Sequence, residues 1–208
     1  ALPVYEQIVP QELLLDLKPY LSQKEIDRFC GIAKKRITKG EKIFGVPWMM
    51  APYALIFNNR LIEEANIIIP DEELDWAFVD SAVRSLTFSK QEGKSEKQYF
   101  GFCTYSTSHS RPLWSIIHGD KDKIIDDKAY NLILRWHREA RALPNNMLDC
   151  SFGEAWQLFA MQGRVGIMLG NVRAVYQMRN LQQIGKGFEI TVKEIPSGGK
   201  NGLFLDQV

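Results

Sequence analysis

The sequence predicts an α+β fold, with a helical N-terminal hairpin and further helices packed on a small, mainly antiparallel sheet. Three observations carry that prediction. Apolar residues recur at helical spacing near the N-terminus and again over 74–86. The aromatic and β-branched runs Tyr99 to Tyr105 and Leu113 to His118 read as strands. Near the C-terminus, Phe188, Ile190 and Val192 alternate with Glu189, Thr191 and Lys193, the period of a half-buried strand.

Pro10 opens the first helix, which puts Leu13, Leu14, Leu17 and Leu21 on one face. Ser22 with Glu25 three positions later is a capping box for a second helix. Ile26, Phe29, Ala33 and Ile37 line that helix, and Gly40 stops it. Tyr53 to Ile69 reads either as a hairpin turning at Asn58-Asn59 or as a helix starting at Pro52, and the helix is preferred. Asp71 serves as N-cap after Pro70 for a helix whose Leu74, Phe78, Ala82 and Leu86 share a face. The two aromatic strands are expected to pair antiparallel through a Ser/Thr loop. A helix then opens at Asp126 or Asp127 and runs to Leu143, with Tyr130, Ile133, Leu134 and His137 turned inward. Ser151 and Glu154 make a second capping box, and Gly163, Gly166 and Gly170 break the helix after it or hold it close to a neighbour. Ser197-Gly198-Gly199 turns the last strand into a terminal hairpin.

The bulk numbers are those of an ordinary globular chain: 208 residues, 45% hydrophobic and 25% charged. A chain of this size buries about 70% of its unfolded surface, enough for a core without a disulfide or a metal. No Pro/Gly/Ser linker divides it, so 1–208 reads as a single domain, a fragment of a larger protein being allowed and a helical lobe over 1–50 being the one subdivision the pattern permits. No window of 18 apolar residues occurs, since Pro47 and Pro52 interrupt the richest stretch, and no transmembrane segment is expected. The N-terminus lacks a signal pattern and begins at Ala1, which implies processing or truncation. Cys30, Cys103 and Cys150 are odd in number and widely spaced, the pattern of reduced thiols, so a cytoplasmic location is expected.

Two strings resemble known families. Phe100-Gly101-Phe102-Cys103-Thr104-Tyr105 resembles the aromatic strand motif of RNA-recognition domains, which implies rings that stack on bases; the plainer reading is that they fill a core. Pro70-Asp71 followed by Glu92-Gly93-Lys94 resembles the Pro-Asp and Glu-x-Lys elements of a large nuclease superfamily. That resemblance implies a metal-dependent phosphodiesterase using Asp71, Glu92 and Lys94; the plainer reading is an N-cap and a solvated loop. No calcium loop, phosphate loop or clustered histidine set appears, so no cofactor and no metal are expected and the catalytic residues are unknown.

Twenty-six Lys and Arg against 25 Asp and Glu exclude bulk charge as an attractor. The charges are nonetheless patterned. Arg135, Arg138 and Arg141 recur every third residue, where guanidinium forks grip phosphates or carboxylates. Lys34, Lys35 and Arg36 form a second basic cluster, and an acidic stretch runs from Glu63 to Asp80. The expectation from this pattern is a non-enzymatic interaction domain binding nucleic acid or an acidic protein segment through basic helix surfaces, within a larger assembly. Arg135, Arg138, Arg141, Lys34, Lys35 and Arg36 are its candidate contacts. The nuclease is the alternative, and a structural subunit or oligomer packed through Gly163, Gly166 and Gly170 is the third.

Overall fold

The computed structural model describes residues 13–47, 52–105, 127–145 and 150–196. The chain divides into two compact units with the boundary between Ala51 and Pro52. In the first unit, a 3₁₀ turn over Lys18–Tyr20 leads to α1 (Gln23–Asp27) and α2 (Gly31–Ile37), and then to a short hairpin of β1 (Thr38–Lys39) and β2 (Lys42–Ile43). The capping box forms as the sequence implies: Glu25 N–H donates to Ser22 Oγ, and the Glu25 carboxylate takes the Ser22 N–H at 2.8 Å. The predicted single helix is instead two short ones, broken at Cys30. Gly40, at φ +60°, makes the tight turn of the hairpin.

The predicted first helix of the N-terminal hairpin is corrected over the described residues. Asp16 Oδ1 accepts from Lys18 N and Ile43 N, and Leu17 N–H donates to the Ile43 carbonyl. The segment is therefore bonded across to the β2 end rather than along a helix. Ile26, Ile37 and Ile43 form the small core of this unit, with Leu21 and Phe29 against it.

The second unit is built on β3 (Tyr53–Asn58), α3 (Asn59–Glu64), α4 (Trp76–Ser85), β4 (Phe88–Glu92), β5 (Ser95–Cys103), α5 (Asp127–Arg138), α6 (Phe152–Trp156), β6 (Val165–Asn171), α7 (Val172–Gln183) and β7 (Ile190–Lys193). The sheet order is β4-β5-β6-β3-β7. Three of its pairings are antiparallel and β5·β6 is parallel, so the architecture is helices with a mixed sheet, an α+β fold. All seven residues of β6 are buried, which requires cover on both faces. One continuous core runs through this unit, with Phe57, Phe102, Trp136 and Phe159 fully buried in it.

The preference for a helix from Pro52 is corrected, because Tyr53 to Asn58 is a central strand and the helix begins only at Asn59. An apolar run without alternation is what a strand buried on both faces requires. The N-cap of α4 is Asp75, whose Oδ1 accepts the Phe78 N–H at 2.7 Å, and not Asp71. Helix α5 ends at Arg138 instead of Leu143, and its buried residues are Leu132, Ile133 and Trp136; Tyr130 and His137 are exposed. The capping box at Ser151 and Glu154 is present, and α6 runs on into a π-helical turn over Gln157–Met161. The expected strand at 113–118 and the turn at 197–199 lie outside the described residues.

The glycines read as a helix break fall in a loop and a strand. Gly163, at φ +61°, ends the π turn, while Gly166 and Gly170 lie in β6. A Cβ on Gly166 would stand 2.6 Å from Leu86, and one on Gly170 would stand 3.1 Å from Ile56 and 3.2 Å from Ala174. Their missing side chains admit neighbours of the same chain, so a packing face for a second chain is not formed there.

Candidate functional site

Strands β5 and β6 run parallel; β5 ends at Cys103 beside Met168, and β6 runs on to Asn171. In sheets of parallel strands flanked by helices, ligands gather outside the carboxyl ends. Beyond β5, Thr104 donates to the Leu169 carbonyl at 2.9 Å, and the Tyr105 hydroxyl accepts the Asn171 N–H at 3.3 Å. Those two bonds carry the chain past the strand and fix Tyr105 at its end. Tyr53, which pairs with Asn171 from the antiparallel side, brings a second ring 6.1 Å from the Tyr105 ring.

Helix α6 adds the accessible part of this end. Its capping box starts the helix at Phe152, and Trp156 follows four residues later on the same face. The two rings stack at 5.8 Å and 16°, while the Phe152 ring meets the Tyr105 ring edge-on at 4.9 Å. Asn171 caps α7 by accepting from Arg173 N and Ala174 N, and that start places the Arg173 guanidinium 5.5 Å above the Phe152 ring. Tyr53 and Tyr105 are buried, Phe152 and Trp156 are half-buried, and Arg173 is exposed. The Glu154 carboxyl is held below its ordinary range by the Ser151 backbone N–H and hydroxyl. Chemically, this end offers a half-buried stacked aromatic pair with an exposed cation over one ring, groups that suit an apolar face bordered by hydrogen-bonding groups.

The sequence-predicted contacts lie on separate elements, three in each of the two units. Arg135 lies 3.8 Å from Asp80, whose carboxylate also takes Trp136 Nε1 at 2.7 Å and Arg84 Nε at 3.2 Å. Arg138 is the last residue of α5, and Arg141 stands beyond it at φ +51°, off the helical face that the three-residue spacing implied. Lys34, Lys35 and Arg36 lie on α2 in the other unit, with Lys34 half-buried and Lys35 exposed. Part of the acidic stretch is engaged within the unit: Glu64 pairs with Lys90, Asp75 caps α4, and Asp80 holds the three groups just named.

The nuclease alternative is corrected by the same geometry. Glu92 and Ser95 pair across a two-residue hairpin turn at Gly93-Lys94, so the Glu-x-Lys string is a tight turn at φ +63°. Asp71 contributes its backbone carbonyl, to Lys193 Nζ. Among the described residues, no group of three or more His, Cys, Asp or Glu is placed to hold a metal ion. The strand resembling the RNA-recognition motif is covered: Tyr99 stacks on Phe88 at 4.7 Å, and Phe102 packs on Trp136 at 5.1 Å. Its rings are core residues.

Sequence reasoning missed Tyr53, Phe152 and Trp156 as site residues. The second capping box already placed Phe152 and Trp156 one turn apart, and Asn171 before Val172 was an unused N-cap signal.

No protein-family model matches the chain, and no curated protein sequence matches it. Solved structures do. One is a sugar transporter from Rhizobium etli in an open conformation, with TM-score 0.66, 15% identity, and coverage of 98% of this chain and 52% of that one. Another is an ABC substrate-binding protein from Listeria monocytogenes in complex with cycloalternan, with TM-score 0.63, 15% identity and coverage of 93% and 50%. A third is an ABC transporter solute-binding protein from Agrobacterium vitis S4 with bound D-mannitol, with TM-score 0.62, 16% identity and coverage of 94% and 49%. The chain spans about half the length of the solved structures it matches. At these identities the likeness is one of fold. It overturns the expectation of a nucleic-acid or acidic-segment binder, of a nuclease and of a subunit built for protein assembly, because the proteins sharing this fold are described with sugars and a polyol.

Proposed function

We propose that the chain is part of a solute-binding protein of the ABC-transporter kind, taking a carbohydrate or polyol against the aromatic end of the sheet in its second unit. The observation that carries the reading is the half-buried Phe152–Trp156 stack beside Arg173 at the carboxyl ends of β5 and β6. A pyranose ring has an apolar C–H face and an equator of hydroxyls. Aromatic faces pair with the first, while Arg173 donates to the second. The fold likeness supports the same reading, since its members are described with mannitol, cycloalternan, maltotriose and tagatose.

In this reading Tyr53 and Tyr105 set the stack rather than touch the ligand, because both rings are buried beneath it. Titration calorimetry with neutral mono- and oligosaccharides and hexitols tests the proposal. Saturable binding that Trp156→Ala weakens by about tenfold or more, with Trp136→Phe leaving it unchanged, is the expected result. Saccharide binding unaffected by Trp156→Ala and Arg173→Ala places the ligand elsewhere and refutes this site.

A further inference from the structure

We infer that the second unit carries a site for a tetrahedral oxyanion, of the phosphate or sulfate kind, where the start of β6 meets β5. A cavity of about 260 Å³ opens there, lined by Lys97, Tyr99, Gln162 and Arg164. Val165, the first residue of β6, pairs with Phe100, whereas the aromatic end lies beyond the last residue, Asn171. The strand between them spans seven residues, about 20 Å of extended chain, so the two places are distinct.

Arg164 is held in place through both backbone and side chain. Its N–H donates to the Leu158 carbonyl at 3.0 Å, and its carbonyl accepts the Phe100 N–H at 2.9 Å. In the side chain, Nε donates to the Gln98 carbonyl at 2.9 Å, joined there by one Nη, and the other Nη donates to Gln162 Oε1 at 3.2 Å. The guanidinium carbon stands 6.0 Å from the centre of the Phe100 ring. Among the described residues these partners are all neutral, so the cation keeps its charge. Of its five N–H groups the bonds use three and leave one on each Nη for a ligand. Gln162 bonds Arg164 through its oxygen, which leaves its amide nitrogen as a donor. Lys97, exposed on β5, brings a second positive charge, and Tyr99, stacked on Phe88 at 4.7 Å, is buried beside it. None of the four lining residues is acidic, and each carries a hydrogen-bond donor. Two cations and two neutral donors exceed what the two oxygens of a carboxylate call for and match the four oxygens of phosphate or sulfate. The cavity is smaller than the roughly 300–1,000 Å³ of pockets for drug-sized ligands, a size that suits such an ion with its water.

Titration calorimetry of the full chain with sodium phosphate, sodium sulfate and sodium acetate, at an ionic strength held constant with sodium chloride, tests the inference. The expected result is saturable binding of phosphate or sulfate, at least about tenfold weaker in Lys97→Gln and unchanged in Arg173→Ala and Trp156→Ala, which alter the aromatic end instead. Lys97 is exposed, so Lys97→Gln keeps the fold, which far-UV circular dichroism checks. Arg164→Lys keeps the charge but loses the fork, and it weakens binding as well. Three results overturn the inference: no saturable heat from phosphate or sulfate, an affinity that Lys97→Gln leaves unchanged or that Arg173→Ala abolishes, or acetate bound as tightly as the tetrahedral anions.

Discussion

Gly101→Ala tests how closely helix and sheet approach in the second unit. The Gly101 N–H donates to Thr87 Oγ1 at 3.1 Å, and that hydroxyl donates to the Val83 carbonyl at 2.7 Å. A Cβ at position 101 would stand 1.9 Å from the Val83 oxygen and 2.7 Å from Thr87 Oγ1. Ordinary contact begins at 3.4 Å, so the last turn of α4 and β5 must separate by more than an ångström. Backbone stands on both sides of the clash, and no side-chain rotation relieves it. Overpacking of well-packed sites costs about 1–3 kcal/mol, and this backbone clash lies at the upper end, at about 3 kcal/mol. For a chain of this length that is a fall in Tm of roughly 6–12 °C. Urea unfolding followed by circular dichroism checks it, with the midpoint lowered at unchanged slope. Gly153→Ala is the control: its Cβ meets nothing nearer than 3.9 Å in α6, and it changes stability by no more than about 1 kcal/mol, in the stabilising direction. A loss below about 1 kcal/mol for Gly101→Ala would refute the close approach.

Other expectations follow from the same contacts. Trp136→Phe removes the indole donor to Asp80 and costs about 2 kcal/mol by urea unfolding, while Arg135→Ala, at an exposed pair, costs under about 1 kcal/mol. Ser151→Ala loses the cap of α6 and costs about 1 kcal/mol in the same assay. Glu154 has its folded pKa depressed below the ordinary 4.5, by the Ser151 backbone N–H first and the Ser151 hydroxyl second. Its contribution is therefore complete above about pH 4.5 and is lost as pH falls through the folded value, so Tm declines on acidification and Glu154→Gln flattens that decline. An equally steep decline in the variant contradicts this assignment.

Local signals were readable in the sequence, and non-local ones were not. Both capping boxes, at Ser22 and Ser151, need only residues three apart, and both formed. Asp71 and Asp75 each offered a cap, and sequence alone did not show that Asp71 lies in a loop tied by its carbonyl to Lys193. Tyr53 to Asn58 lacked the alternation expected of a strand because β3 is covered on both sides. Gly166 and Gly170 looked like helix breakers because the neighbours they admit, Leu86 and Ile56, are distant in sequence. The basic clusters were visible as composition, but Asp80, the partner of Arg135, comes from another helix. The candidate site joins Tyr53, Tyr105, Phe152 and Arg173 through sheet register, which no local spacing encodes.

Calorimetric titration of wild type and Trp156→Ala, against a saccharide and hexitol panel with single-stranded and duplex oligonucleotides as counter-ligands, tests the central claim most directly. The account predicts saturable heat with at least one saccharide or hexitol, affinity at least about tenfold weaker in Trp156→Ala, and no saturable heat with either oligonucleotide. Saturable oligonucleotide binding with no heat from any saccharide or hexitol would contradict it.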